Sequence, residues 1–223
     1  MNVVYFGSRE IYRDFETAVG SLKAHNPGAR IWGVIEDDEF PNPGPWAEGV
    51  TFIRYDWQKW FTELPTRTKW KQFGPIRAAF TKIFPELDRV LSIDLDTIVF
   101  GDVTPLWNTD LGTCHAAMCR EEYLSAQLGR PYWNNGVCLM DLARIRADGL
   151  DDAMIGELNT VYHPYVGQDA MQIYLRILDI GSQWNSSKFT APCFDPVILH
   201  YADRTDWREL EVVKRYRSSA RRA

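Results

Sequence analysis

The sequence predicts an α/β protein built on a largely parallel sheet with helices packed against it. Three observations carry this reading. Short apolar strands alternate with helical periodicity through the first half, and turn-forming residues separate them. A length of 223 residues with 45% hydrophobic side chains suits one substantial core and is short for two, so one domain is expected.

In chain order, Asn2-Val3-Val4-Tyr5-Phe6 reads as a strand ending at Gly7-Ser8. Phe15, Val19 and Leu22 recur at spacings of four and three, the period of a helix, and Asn26-Pro27-Gly28 stops it. Ile31 to Ile35 is the next strand, closing at Glu36-Asp37-Asp38, which completes a βαβ unit. A loop over 41–45 leads to a third strand from Val50 to Tyr55, then a mostly helical stretch over 66–84 interrupted at Gly74-Pro75. Arg89 to Ile93 is a buried strand. Gly101 to Leu106 turns into a short element, and 114–118 and 136–140 are strands. A helix starts at Asp141, a second spans 168–178, and a last strand over 197–201 carries His200 near its end.

Ligands on such sheets collect at the carboxyl ends of strands, where Gly7-Ser8, Glu36-Asp37, Asp94-Leu95-Asp96 and His200 all fall. The acidic pair is the most telling. Asp94 and Asp96 follow a buried apolar strand, so their charge requires a cation or hydrogen-bond donors, and a divalent metal is the obvious compensator. Taken alone, His200 reads equally as a hydrogen-bonded core histidine.

Composition narrows the function classes. A net charge of −5 argues against a general nucleic-acid binder. The four cysteines form no CxxC pair; three lie in apolar runs and read as buried free thiols, and reduced thiols of a cytosolic protein fit best. Neither a secretory h-region nor an apolar run of roughly 20 residues is present, so a cytoplasmic protein is expected. Residues 207–223 are basic through Arg208, Lys214, Arg215, Arg217, Arg221 and Arg222. They are expected as a solvated helix or tail appended to a domain over 1–206, with weak peripheral attraction to anionic lipid or to an acidic acceptor as the alternative.

Five features in order then carry a resemblance. They are Arg77 with Phe84-Pro85 ahead of Val90-Leu91-Ser92-Ile93-Asp94-Leu95-Asp96; Leu106-Trp107; Trp133-Asn134-Asn135-Gly136-Val137; Gln168-Asp169; and Leu199-His200-Tyr201 with Trp207. Together they resemble glycosyltransferase family 8, the group that includes glycogenin-like enzymes and bacterial lipopolysaccharide galactosyl- and glucosyltransferases. The resemblance implies a single-domain GT-A (Rossmann-like) mixed sheet flanked by helices, and a metal-dependent, retaining hexosyltransferase. It would use UDP-glucose or UDP-galactose as donor and a carbohydrate or glycoconjugate as acceptor.

Carried onto this chain, Asp94, Asp96 and His200 would hold Mn²⁺ or Mg²⁺, the imidazole favouring Mn²⁺. Arg77 would reach the donor, its alternative being a surface ion pair with Asp88 or Glu86. Asn134, Gln168 and Asp169 would lie at the transferred sugar; a plain turn and a helix N-terminal acid are the bland readings of Asn134 and Asp169. Gly7, Ser8 and Leu95 would border the nucleotide, with Tyr12 as a base-stacking candidate.

Two departures are visible. Gly167 stands where the family often has an acid, and no lysine follows His200 before Trp207, leaving Arg204 or Arg208 as candidate diphosphate cations. Trp57, Trp60 and Trp70, set among polar residues, are acceptor-side candidates. Two other readings stay open: a catalytically silent nucleotide-sugar binder, and a haloacid-dehalogenase-like phosphatase. The second fits poorly, because its acid pair normally follows the first strand.

Overall fold

The computed structural model describes residues 1–65 and 73–219; Trp70 and most of the stretch between Thr66 and Gly74 therefore lie outside the described residues, as do Arg221 and Arg222. The first strand, β1 (Asn2–Phe6), shows how the sheet is built. Its alternating side chains feed two cores: Val3 and Tyr5 pack with Phe15, Val19 and Leu22 of α1 (Arg13–His25), and Val4 and Phe6 pack with Phe80 and Phe84 on the opposite face. A sheet buried on both faces explains the continuous apolar runs of its strands.

Beyond α1 come β2 (Arg30–Ile35) and β3 (Val50–Arg54), parallel to β1 and to each other in the order β1-β2-β3. A 3-10 turn over Ile76–Ala79 runs into α2 (Phe80–Ile83), and β4 (Arg89–Ile93) then pairs with β1 in parallel. After it, β5 (Thr97–Val99) leaves the main sheet and α3 (Thr104–Trp107) follows. Next are β6 (Ala116–Arg120), α4 (Glu122–Leu128), β7 (Trp133–Asp141), α5 (Leu142–Ala147) and α6 (Leu150–Thr160). The chain continues through α7 (Gly167–Tyr174), β8 (Ile177–Ile180), β9 (Ile198–His200) and α8 (Glu211–Ser219).

The seven-stranded sheet has the order β3-β2-β1-β4-β7-β6-β8, mixed because β7 runs antiparallel to both its neighbours. Among the described residues no helix is long and apolar enough to cross a membrane.

Several elements differ from expectation for tertiary reasons. The helix expected over 168–178 ends at Tyr174 because the Arg176 N–H donates to His115 Nδ1 (2.9 Å) and its carbonyl accepts from the His115 N–H (2.9 Å), which draws 177–180 into the sheet. The strand expected from 114 starts at Ala116, since the Cys114 N–H closes a turn on Leu111. Two unexpected helices, α4 and α6, are bounded by glycines with positive φ, Gly129 at the end of α4 and Gly149 at the start of α6. All four cysteines are free, and burial pushes the Cys119 and Cys138 thiols up to about 12.

One pairing positions the site. β5 and β9 form a separate antiparallel ribbon in which Thr97 opposes His200, and the Tyr201 N–H donates to the Asp96 carbonyl (2.8 Å). Behind this ribbon Ile98, Tyr201, Trp207 and Val213 make a small core, with the Tyr201 and Trp207 rings stacked at 5.5 Å. The basic C-terminal stretch is thus anchored on one side: α8 packs on α1, and Arg208 grips both oxygens of buried Asp14 at 2.8 and 2.6 Å. Trp207→Ala should cost about 3–5 kcal/mol by emptying this core. Urea denaturation checks it, and a loss under about 1 kcal/mol would show that the C-terminal segment does not brace the ribbon.

Candidate active site

At the end of β4 the chain turns sharply, with Thr97 Oγ1 donating to the Asp94 carbonyl (2.7 Å) and the Asp94 N–H donating to Gly136 on β7 (2.8 Å). This aims both carboxylates out of the sheet. Arg77 lies beneath them, only 5% exposed, its Nε donating to Ser92 Oγ (3.0 Å) and its Nη2 to Asp94 Oδ1 (2.7 Å), while its guanidinium rests 4.7 Å from the centre of the Phe6 ring. The surface pairing with Asp88 or Glu86 is not what forms; Asp88 pairs with Arg146 (3.3 Å) instead.

His200 Nε2 sits 3.3 Å from Asp96 Oδ1 and 3.7 Å from Asp94 Oδ2. One ligand atom from each of the three residues lies within 4.8 Å of the others. Two carboxylate oxygens and one imidazole nitrogen, converging from segments a hundred residues apart, fit a divalent cation of the Mn²⁺ type. Burial by itself would raise the Asp96 carboxyl, but the adjacent His200 overrides it through charge and hydrogen bonding, and Asp96 is held below the usual carboxylate range. Burial would likewise lower His200; Asp96 and then Asp94 outweigh it, and the imidazole is made more basic.

Gly136 makes room for this histidine. A Cβ there would lie 2.1 Å from His200 Cε1, closer than atoms can approach. The pairing of β6 with β7 also shifts register between Met118 and Cys119, so that Met118 opposes Cys138, Cys119 opposes Asn134 and β7 is bulged between them. Asn134 is thereby turned inward, its Nδ2 donating to Glu121 Oε2 (3.1 Å) and its Oδ1 accepting from the Gly136 N–H (3.0 Å).

Gln168 meets the same acid from α7, Nε2 to Glu121 Oε2 at 3.4 Å, and its Oε1 accepts from the Asn135 N–H (3.1 Å). Asp169 accepts from the Tyr132 hydroxyl and from the Tyr165 N–H (2.8 Å). Burial raises the Glu121 carboxyl, against the pull of the Asn134 and Gln168 amides. Glu121 and Asn185, whose side-chain carbonyl oxygen lies 2.8 Å from His200 Nδ1, are members that the sequence reading missed. Glu121 carried a usable signal, an acid at the end of an apolar strand like Asp94; Asn185 lies in an irregular segment and carried none.

The family model for glycosyl transferase family 8 matches residues 58–205, about two thirds of the chain. This chain belongs to glycosyltransferase family 8. Two curated relatives agree: the probable galacturonosyltransferase 14 of Arabidopsis thaliana is 36% identical over 67 residues, and a putative glycosyltransferase of Haemophilus influenzae is 24% identical over 93. Those alignments take in 26% and 37% of this chain but only 12% and 28% of the relatives' lengths. Among solved structures, the galactosyltransferase LgtC, crystallised with donor and acceptor sugar analogs, superposes with a TM-score of 0.76 at 19% identity, covering 100% of this chain and 96% of that one. This likeness bears out the GT-A fold.

Within this family 8 chain the departures noted above acquire physical causes. Position 167 has no room for an acid: a Cβ on Gly167 would stand 2.3 Å from the Gly74 carbonyl oxygen. Val166 before it holds φ +48°, a strained conformation for a β-branched residue, at the start of the helix that presents Gln168 and Asp169.

Gly7 packs on Leu95, whose Cδ1 would be 2.6 Å from an added Cβ, and neighbouring Ser8 is half-buried with extended backbone. Tyr12 corrects the base-stacking expectation. It is buried, its ring 5.0 Å from that of Phe40 and 6.2 Å from that of Phe15, and its hydroxyl accepts from the Glu36 N–H (2.8 Å). Arg204 is exposed and paired with Asp206 (2.7 Å), whereas Arg208 is near enough to favour ionised Asp96. Trp57 and Trp60 are half-buried against the main core, Trp60 stacked on Tyr55, rather than free platforms.

Gly136→Ala should displace the imidazole and weaken Mn²⁺ uptake by about tenfold or more while the fold survives. Mn²⁺ titration with a circular-dichroism control checks this. Undiminished uptake would mean that His200 does not need the space.

Proposed function

We propose that this protein is a retaining hexosyltransferase that moves glucose or galactose from a UDP-sugar to a carbohydrate or glycoconjugate acceptor, with Asp94, Asp96 and His200 holding Mn²⁺ or Mg²⁺. The observation that carries the proposal is the convergence of those three side chains, from the end of β4 and from β9, on one point beside the buried Arg77 guanidinium. A bound dication supplies Lewis acidity that stabilises the charge growing on the β-phosphate oxygen as the bond to the sugar breaks.

The protein's own groups complete the site. Arg77 fixes the Asp94 carboxylate and places a planar cation where phosphate or sugar oxygens would lie. Gly7, Ser8 and Leu95 border the nucleotide side. In place of the family's lysine, Arg204 and Arg208 are the candidate diphosphate cations, each held by a carboxylate, Asp206 and Asp14 respectively. Asn134 and Gln168, locked together through Glu121, present amides to the transferred sugar. Glu121 thus brings to this face the carboxylate that Gly167 cannot carry.

An amide is a poor nucleophile, so Gln168 supports a front-face displacement, with the leaving diphosphate and the incoming hydroxyl on one side of the sugar, over a covalent intermediate. Asp169, held by Tyr132 and the Tyr165 N–H, stabilises the developing positive charge without attacking it. We assign the transferase domain to residues 1–206 and treat 207–223 as a basic segment that packs back on it through Trp207 and Arg208.

Incubation with UDP-glucose and UDP-galactose, with Mn²⁺ and with chelator, should release UDP and transfer sugar only when the cation is present. Binding of UDP and Mn²⁺ without turnover would identify a silent nucleotide-sugar binder; turnover undiminished by chelator would overturn the metal assignment. Asp96→Asn removes one anionic ligand at nearly constant volume and should lower kcat by about 100-fold or more with an unchanged melting profile.

A further inference from the structure

The hydrogen bonds on the far side of the imidazole settle which of its nitrogens is free. Asn134 Oδ1 faces the Gly136 N–H at 3.0 Å, and a backbone N–H can only donate. Asn134 must therefore present its carbonyl there and its NH₂ to Glu121 Oε2. The same Asn134 Oδ1 lies 2.9 Å from the amide nitrogen of Asn185, so Asn185 spends its NH₂ on Asn134 and turns its carbonyl to His200 Nδ1, at 2.8 Å. A carbonyl can only accept. Nδ1 must carry a proton, and the lone pair of the neutral imidazole then lies on Nε2, the nitrogen that faces Asp94 and Asp96.

The segment carrying Asn185 is itself locked to β9. The Ser186 N–H donates to the Ile198 carbonyl (2.9 Å) and the His200 N–H to the Ser186 carbonyl (2.8 Å), so Asn185, fully buried, travels with the histidine. Neither Asn185 nor its amide orientation belongs to the donor set.

We propose that Asn185 is a positioning residue for metal binding: its side-chain carbonyl holds His200 in the Nδ1–H tautomer and so reserves Nε2 as the ligand. The proposal rests on the metal assignment made above. It adds that the tautomer is set by a relay running from the Gly136 N–H through Asn134 and Asn185, so that the amide assigned to the sugar side and the ligand on the metal side share one hydrogen-bond chain. A metal-bound histidine commonly owes its orientation to such a partner, whose loss weakens binding by about 10- to 100-fold.

Two variants separate this role from simple packing. Asn185→Leu keeps the volume and removes the acceptor. Asn185→Asp restores an acceptor for Nδ1–H while giving up the donor to Asn134. Mn²⁺ affinity is read without donor sugar, by the electron-paramagnetic signal of the free ion, for the wild type, both variants and Asp96→Asn; urea denaturation runs alongside. Expected is a 10- to 100-fold weaker Mn²⁺ affinity for Asn185→Leu and near wild-type affinity for Asn185→Asp, though both variants lose stability. In ¹⁵N-histidine-labelled protein loaded with diamagnetic Zn²⁺, the His200 signals, among only four histidines, should show a protonated Nδ1 in the wild type.

Wild-type affinity in Asn185→Leu, equal losses in the two Asn185 variants, or an unprotonated Nδ1 in the wild type would each overturn the positioning role while leaving the metal site standing. A wild type that takes up no more Mn²⁺ than Asp96→Asn would instead bring down the metal assignment and this inference with it.

Discussion

Asp94 and Asp96 stand at the end of a strand whose preceding side chains are almost wholly out of water, and two carboxylates so placed must be compensated by the rest of the structure. Arg77 does so from below, buried against Phe6 and committed to Ser92 and Asp94. His200 does so from above, through the β5–β9 ribbon that sets it opposite Thr97. The two compensations differ in kind. The guanidinium is a permanent charge that fixes one carboxylate, while the imidazole is a neutral ligand or a cation according to what else occupies the site, which leaves room for a dication.

Close backbone approach is the second constraint. At Gly136 and Gly167 the absence of a Cβ allows an imidazole and a carbonyl oxygen, respectively, to come where any other residue would collide. The first lets β9 lay its histidine against β7. The second lets α7 begin against the Gly74-Pro75 turn, with Val166 accepting a strained φ to get there, and so brings Gln168 within reach of Glu121. Helix, bulged strand and ribbon, which are distant in sequence, meet through polar contacts around Asn134. Such a network is rigid only when each member is satisfied, and here each amide has a partner on both ends.

Much of the fold was readable. The apolar run of β1, the spacing of Phe15, Val19 and Leu22 in α1, and the strand before Asp94 all appear where the sequence places them, because a sheet buried on both faces demands continuously apolar strands. Failures fall where long-range hydrogen bonds outrank local preference. Residues 175–178 are expected to extend α7, but His115 takes both backbone groups of Arg176 and draws 177–180 into a strand. Tyr12 is the base-stacking candidate after the first strand; packing against Phe15 and Phe40 buries it.

The sequence by itself determined the α/β class, the acidic turn after β4 and the ordered set of motifs that marks a family 8 glycosyltransferase, since each is a matter of local spacing and side-chain chemistry. Tertiary structure alone decided that His200 reaches Asp96, that Arg77 is buried under Asp94, and that Asn185 and Glu121 belong to the site. Those facts depend on loops of tens to a hundred residues being closed by strand pairing and by the packing of Trp207 behind the ribbon. No short-range pattern records the ends of such a loop, because the free energy that joins them is spread over a core assembled from the whole chain.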